Sequence, residues 1–387
     1  MLITGGIIMQ YLTDDLVKLA KRDNNNIRPY IYVNPIQGKH IPTNPDDTMN
    51  MCRTLANMVN VAYPSDRLFV IGFAETATGI AAGTCRYLKN VSFYQNTTRE
   101  HLDSEEYLYF TESHSHATDQ TLRIAKIEDC LRSVDRILFI DDEVTTGNTI
   151  CKLAEIIREK YGVRELKYSI VSILNSMTNL RVNQLEDDGI ECLFISDLPF
   201  EYKRDSIDCI AYENDRDVLI ENDEELPINC LEFETKVNVR NTVPFDDYEK
   251  ETDRFISVIE NKINYERYET LLVLGTEEFM YPAIRLGEAL KRDGAAKTVK
   301  VHATTRSPII ASGTEGYPLK YRYQIRSVYD KTRNTYIYNL EQYDKVIIVT
   351  DTPDIAEGIS DLVSALKRVG NTDILISRWL YSNNRDL

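Results

Sequence analysis

Residues 136–150, RILFIDDEVTTGNTI, constrain this chain more than any other stretch. An apolar run, Ile137–Ile140, has the length of a buried strand. It ends in two aspartates, passes through a Thr-Thr-Gly turn and continues as a helix with Ile150, Leu153, Ala154 and Ile157 at helical spacing. A strand that turns at once into an amphipathic helix buries both elements only by packing them face to face, which is the repeating unit of α/β proteins.

The unit recurs. RLFVIGF (67–73) reads as a strand followed by a helix through TATGIAAGTCRYLK, with Ile80, Thr84, Tyr87 and Leu88 on one face. VSFYQ is a strand, DQTLRIAKIEDCLRSV reads as a helix, and ELKYSIVSIL is the next strand. Strands alternating with helices predict a doubly wound, mainly parallel sheet, whose ligands bind beyond the carboxyl ends of the strands. The acidic, weakly patterned stretch DRDVLIENDEELP (215–227) marks a boundary, giving expected domains over 25–228 and 229–387. The second repeats the texture: a helix in DDYEKETDRFISVIENKI, the strand TLLVLG, a helix from Thr276 to Lys291, then TVKVHATTRSP, KVIIVT, a helix from Asp354 to Arg368, and DILISRW.

The two halves run in parallel at three places. LFVIGFAETATGIAAG parallels LLVLGTEEFMYPAIRLG, FYQNTTRE parallels VHATTRSP, and DRILFIDDEVTTGNTI parallels DKVIIVTDTPDIAEGI. Duplication explains this, and so does the texture common to α/β units; under duplication the second half is a degenerate copy lacking the Thr-Thr-Gly turn.

With 387 residues, 43% hydrophobic and 24 of them Tyr, the chain is globular and large enough for more than one core. Its net charge of −16 argues against general affinity for nucleic acid or anionic membrane. The opening MLITGGIIMQ lacks a cationic region, and no run nears ~18 apolar residues, so neither signal peptide nor anchor is expected and a cytoplasmic location is. Seven cysteines, at 52, 85, 130, 151, 192, 209 and 230, form no CxxC and fit buried thiols better than disulfides or a zinc site.

The chemistry of 141–149 is two-sided. Gly147 permits a tight turn, and the helix start with the hydroxyls of Thr145, Thr146 and Thr149 suits a phosphate monoester. Asp141 and Asp142 suit neighbouring sugar hydroxyls or a hydrated Mg²⁺. A ribose 5-phosphate carries both features.

ILFIDDEVTTGNT resembles the phosphoribosyl pyrophosphate (PRPP) motif of type I phosphoribosyltransferases. That resemblance implies Asp141 and Asp142 on the ribose hydroxyls and Mg²⁺, and Thr145, Thr146, Gly147, Asn148 and Thr149 around the 5-phosphate. Glu75, Thr76 and Ala77 of GFAETATG match the family's pyrophosphate loop in position; a helix start capped by Thr76 explains the segment equally simply. Arg99 of NTTRE stands where the family often has a base reaching pyrophosphate, though a surface arginine reads the same. After it the family carries a hood over the reaction centre, here containing Glu112, His114 and His116; the two histidines are candidates for donating to pyrophosphate or exchanging a proton with the acceptor. Where purine-salvage members often have an aspartate, this chain has Thr145, which weakens a purine role.

Taken in order, GKHIP, GFAETATG, ESHSHAT, IDDEVTTGNT and TTRSP resemble a bacterial family linked to tellurite-resistance and stress clusters. Its members join a phosphoribosyltransferase-like part to a C-terminal domain named for Thr-Arg-Ser-Pro, here Thr305, Arg306, Ser307 and Pro308. Lys39 and His40 are then candidates for an acceptor-side hood. The resemblance implies an enzyme joining PRPP to a nitrogenous acceptor, with small-molecule substrates and self-association or stress-cluster partners left open. A non-catalytic PRPP or nucleotide sensor, or a scaffold, is the alternative.

Overall fold

The computed structural model describes residues 11–23, 28–100, 106–110, 120–125, 127–163, 165–198, 207, 209–211, 213–220, 229–263, 268–354 and 357–382. They form two compact units. The first draws on ranges 1–15, 49–200 and 239–246, the second on 16–48, 201–238 and 247–387. Strands are numbered in chain order, from β1 (Lys18–Lys21) and β2 (Tyr30–Val33) to β18 (Ile374–Tyr381).

In the first unit a six-stranded sheet runs in the order β12-β4-β3-β7-β8-β9. Its parallel members are β3 (Leu68–Gly72), β4 (Val91–Asn96), β7 (Arg136–Val144), β8 (Lys167–Asn175) and β9 (Ile190–Asp197). The short β12 (Val243–Pro244) pairs antiparallel on the β4 edge. Order reverses at β3, which leads in sequence to β4 on one side while β7 lies on the other. The predicted stripe of the helix Asn148–Tyr161 is buried: Ile150, Leu153, Ala154 and Ile157 join Ile137, Phe139 and Ile170 in one core. Each of the Ile, Leu and Phe side chains among them contributes roughly 1.5–3 kcal/mol when withdrawn from water.

One predicted element is different. The segment expected as one helix over 119–134 instead supplies β6 (Thr121–Arg123), paired antiparallel with β5 (Tyr107–Tyr109), before the helix Ile127–Ser133. Thr121, Leu122 and Arg123 are all buried, so burial of three consecutive residues overrides their helical spacing.

The second unit holds a parallel sheet in the order β11-β18-β17-β13-β14. Its other strands are β11 (Asn229–Thr235), β13 (Tyr268–Gly275), β14 (Ala296–Ala303) and β17 (Lys345–Thr350). A smaller sheet combines β10 (Asp217–Leu219), β15 (Arg322–Arg326) and β16 (Asn334–Tyr338). The reversal seen at β3 is repeated at β13, which lies between β14 and β17 as β3 lies between β4 and β7. The two units thus share a four-strand topology. The helix expected from Thr276 begins at Tyr281, because a turn in which Phe279 donates to the Thr276 carbonyl occupies the start and Pro282 opens the helix.

The division of the chain departs from a single cut between 228 and 229. The β1–β2 pair supplies Ala20 and Val33 to a core with Ile309, Ile310, Leu319 and Tyr338 of the second unit. Conversely, Thr242 donates to Gln95 at 2.6 Å within the first. Cys52, Cys85 and Cys130 are buried as expected, Cys151, Cys192 and Cys230 are half-buried, and Cys209 is exposed. Among the described residues no helix is long and apolar enough to cross a membrane.

Candidate active site at the β3–β7 reversal

In open α/β sheets ligands bind where strand order reverses, beyond the carboxyl ends. At β3 this brings three segments together. The Phe73 amide donates to the Ile140 carbonyl at 3.0 Å, so the loop after β3 starts beside Asp141. Thr97, just past β4, ties the loop from the other side: its hydroxyl accepts the Ala74 amide at 2.8 Å and its own amide donates to the Gly72 carbonyl at 2.9 Å. Gly72 is required here, since a Cβ would lie 2.6 Å from that of Ala81. Within the loop the Ala74–Glu75 peptide is cis, Glu75 and Ala77 are buried, and Thr76 is half-buried. The half-buried Arg99 follows two residues after Thr97. The β5–β6 hairpin closes on the same place, for Thr98 pairs with Thr121 and Gln120 donates to the Ala74 carbonyl at 2.7 Å. Glu112, His114 and His116 lie outside the described residues.

Asp141, Asp142 and Glu143 lie near the end of β7 and are half-buried as residues. The chain packed around Asp141 strips away water, and the adjacent Asp142 adds negative potential, so its carboxyl is held well above the usual carboxylate range. A cation or hydroxyl donors would relieve that strain. Glu143 turns toward the end of β8, just past which the Ser176 hydroxyl donates to it at 2.8 Å. That gives a structural role to an acid whose purpose is opaque in the sequence.

The turn that follows has the shape its glycine implies. Gly147 is left-handed at φ 72° and is the N-cap residue of the helix Asn148–Tyr161, and the Thr146 hydroxyl accepts the Asn148 amide at 3.3 Å. Thr145, Thr146, Asn148 and Thr149 are exposed around it. The other first-turn amides and the surrounding hydroxyls are groups that suit an anion. The loop is gripped from outside by Arg181, whose Nε donates to the Thr146 carbonyl at 2.9 Å and whose Nη2 donates to Asn148 Oδ1 at 3.1 Å. Nothing in the sequence marks Arg181, because its helix belongs to the next β–α unit.

Lys39 and His40, expected on an acceptor hood, pack instead in the second unit. Lys39 is fully buried and donates to the Glu277 carbonyl at 2.7 Å; the His40 ring lies 6.3 Å from that of Tyr338. At the second reversal, register sets Gly275 against Val349 as Gly72 sits against Ile140, so Thr350 and Asp351 stand where β7 has Asp141 and Asp142. Asp351 is buried and accepts the Tyr381 hydroxyl at 2.7 Å. Arg306 occupies the place of Arg99, three residues beyond its strand, but its Nε pairs with buried Glu277 at 2.8 Å, and Arg333 pairs with the same oxygen at 2.7 Å. Thr305 is bridged to Tyr336, and the Ser307 carbonyl accepts the Tyr338 hydroxyl at 2.7 Å. Pro308 accepts the Asp23 amide at 2.9 Å, so the whole Thr-Arg-Ser-Pro stretch is built into its own unit.

The sheet order, the acidic strand end and the glycine turn define a type I phosphoribosyltransferase-like α/β protein. The chain belongs to the phosphoribosyl transferase family that carries a TRSP domain: residues 16–195 match the model described as "Phosphoribosyl transferase", and 244–366 match "TRSP domain C terminus to PRTase_2". Its class of enzyme is therefore phosphoribosyltransferase. Solved structures similar to it include an adenine phosphoribosyl transferase from Trypanosoma brucei, 13% identical over 49% of this chain and 83% of that one with a TM-score of 0.35. Others are the Saccharomyces cerevisiae adenine phosphoribosyltransferase (8%, covering 47% and 94%, TM-score 0.32) and a Staphylococcus aureus hypoxanthine phosphoribosyltransferase (16%, covering 42% and 79%, TM-score 0.26). No match to the sequence was found among curated proteins.

Proposed function

We propose that the first unit takes PRPP and transfers its ribosyl phosphate to a nitrogenous small molecule, yielding a nucleotide-like product of a stress-linked pathway. The observation that carries this reading is the meeting of the 73–77 loop, Asp141–Asp142 and the Gly147 turn at one strand reversal. The Gly147 and Thr149 amides and the hydroxyls of Thr145, Thr146 and Thr149 hold the 5-phosphate. Asp141 and Asp142 accept hydrogen bonds from the ribose hydroxyls. Backbone of Glu75–Ala77 and the Arg99 guanidinium receive the pyrophosphate, with His114 and His116 as further donors from the hood.

In transfer the bond from the anomeric carbon to pyrophosphate oxygen breaks, a carbon–nitrogen bond forms, and the acceptor loses a proton. The aspartates stabilise positive charge at the sugar while Arg99 stabilises the leaving group. The site fits Mg²⁺. Among the described residues no group of three or more candidate ligands would enclose an ion, but Mg²⁺ is commonly held by one or two carboxylates plus substrate phosphates and water. Asp141 and Asp142 would hold it, and the ion would neutralise pyrophosphate charge.

The test is calorimetric titration of the full chain with PRPP, ribose 5-phosphate and pyrophosphate in Mg²⁺, followed by pyrophosphate release assays across a metabolite extract. Saturable PRPP binding lost in the Asp141→Asn, Asp142→Asn double variant supports the reading. An unchanged dissociation constant in that variant overturns it. Tight PRPP binding without turnover on any acceptor would instead favour a sensor.

A further inference from the structure

Arg181 sits in the first turn of the helix Asn179–Asp187, three residues after Thr178, whose hydroxyl accepts the Arg181 amide at 3.2 Å. A cation in a first turn faces the positive end of the helix dipole, an unfavourable place for it. The contacts of the guanidinium supply a reason for its presence. Nε holds the Thr146 carbonyl at 2.9 Å, Nη2 holds Asn148 Oδ1 at 3.1 Å, and the same nitrogen reaches Cys151 Sγ at 3.6 Å. Thr146 and Asn148 flank Gly147, and Cys151 lies one helical turn on, its amide donating to the Gly147 carbonyl at 2.9 Å.

The Thr146–Gly147 peptide is trans, so its carbonyl and its N–H point in opposite directions. Drawing the carbonyl toward Arg181 therefore turns the Gly147 amide away from the Asn179–Asp187 helix. The Asn148 carboxamide, pinned by the same fork, cannot swing across the helix start. A planar guanidinium suits this work, since it reaches a carbonyl and a carboxamide at fixed spacing while a lysine ammonium cannot. From the Cys151 side a thiol, not a thiolate, is met, because burial raises that group, so the guanidinium has no anionic sulfur as partner there.

We infer that Arg181 is the positioning residue of the 5-phosphate loop, aiming the Gly147 amide at the phosphoryl group and supplying it with a positive background. This rests on the phosphate-site reading of the turn. The experiment titrates wild type, Arg181→Ala and Arg181→Lys full-length chains with ribose 5-phosphate and, separately, with inorganic pyrophosphate, both in Mg²⁺. Arg181→Ala should weaken ribose 5-phosphate by about 10- to 100-fold, as for loss of charged hydrogen bonds. Arg181→Lys, which keeps charge and loses the fork, should fall between. Pyrophosphate affinity should stay within about twofold of wild type in both, since the loss is confined to the Gly147 turn. Equal losses for both ligands would make Arg181 a merely structural brace and overturn the inference, as would unaltered ribose 5-phosphate affinity. If Arg181→Ala does not fold, Arg181→Lys carries the same comparison. Failure of the wild type to bind ribose 5-phosphate at all would defeat the phosphate-site reading itself.

Discussion

Phe73 donates its amide to Ile140 across β3 and β7 at 3.0 Å, and this bond sets the spacing between the two halves of the site. Downstream of Phe73 the chain enters the 73–77 loop; downstream of Ile140 it enters Asp141 and Asp142. In the proposed reading the sugar and the leaving group of one ligand would thereby meet partners from adjacent strands of one sheet. Positioning of this kind accounts for much of the rate enhancement in group transfer.

Asp141→Asn should stabilise the empty protein while crippling the site. A carboxyl held above its ordinary value of 3.8 binds protons more readily folded than unfolded, so its contribution to stability falls as pH rises past 3.8, leaving a cost at neutral pH. Removing the charge should raise the melting temperature by about 2–4 °C per kcal/mol recovered. Ribose 5-phosphate affinity should fall about tenfold or more with the lost charged hydrogen bonds. Thermal melts and titration check both signs; a lower melting temperature would refute the electrostatic account.

Arg99→Ala should separate the two ends of the ligand. Pyrophosphate and PRPP binding are expected to weaken by about 10- to 100-fold, the usual effect of losing a charge-assisted contact, with ribose 5-phosphate little changed. Parallel titrations decide it, and equal losses would remove Arg99 from the pyrophosphate site.

Gly72→Ala should disturb the loop from beneath. Its new methyl would meet Ala81 Cβ at 2.6 Å and Asn96 Oδ1 at 3.0 Å. Overpacking of this kind costs about 1–3 kcal/mol, measurable by urea denaturation. Pyrophosphate affinity should drop alongside, because Thr97 and the loop hang from this strand end.

His302 makes the second unit acid-sensitive. Burial lowers it from 6.5 to about 4, with its Nε2 2.8 Å from the Tyr338 carbonyl. Below pH 6.5 the unfolded chain takes up a proton that the folded chain refuses, so stability present above that value is lost as pH falls toward about 4. The slope from this group approaches about 1.4 kcal/mol per pH unit. His302→Gln, able to donate to the same carbonyl, should flatten that part of the urea-denaturation profile; an identical slope in the variant would rule His302 out.

How far the sequence discloses this arrangement depends on the range of the interaction. The strand of 137–140, the Gly147 turn and the buried stripe from Ile150 to Ile157 are local patterns, and each stands where periodicity and turn chemistry predict it. The pairing of β5 with β6 was not legible, because Thr121–Arg123 carry helix-compatible spacing and are fixed as a strand by distant partners, Tyr107–Tyr109 and Thr98. Lys39 was misleading for the same reason: a lysine in a Pro/Gly-punctuated loop looks available, and only the fold reveals the Glu277 carbonyl that takes its proton donors. Arg181 gave no local signal at all, since its partners Thr146 and Asn148 lie one β–α unit earlier.

Glu277 stands with its carboxylate between Arg306 and Arg333, acting as a resident counter-anion for both. A free phosphoryl group arriving there would have to evict a covalently tethered competitor that never dilutes away. Saturation with ribose 5-phosphate should therefore level off at one equivalent per chain, despite two sheets of matching topology.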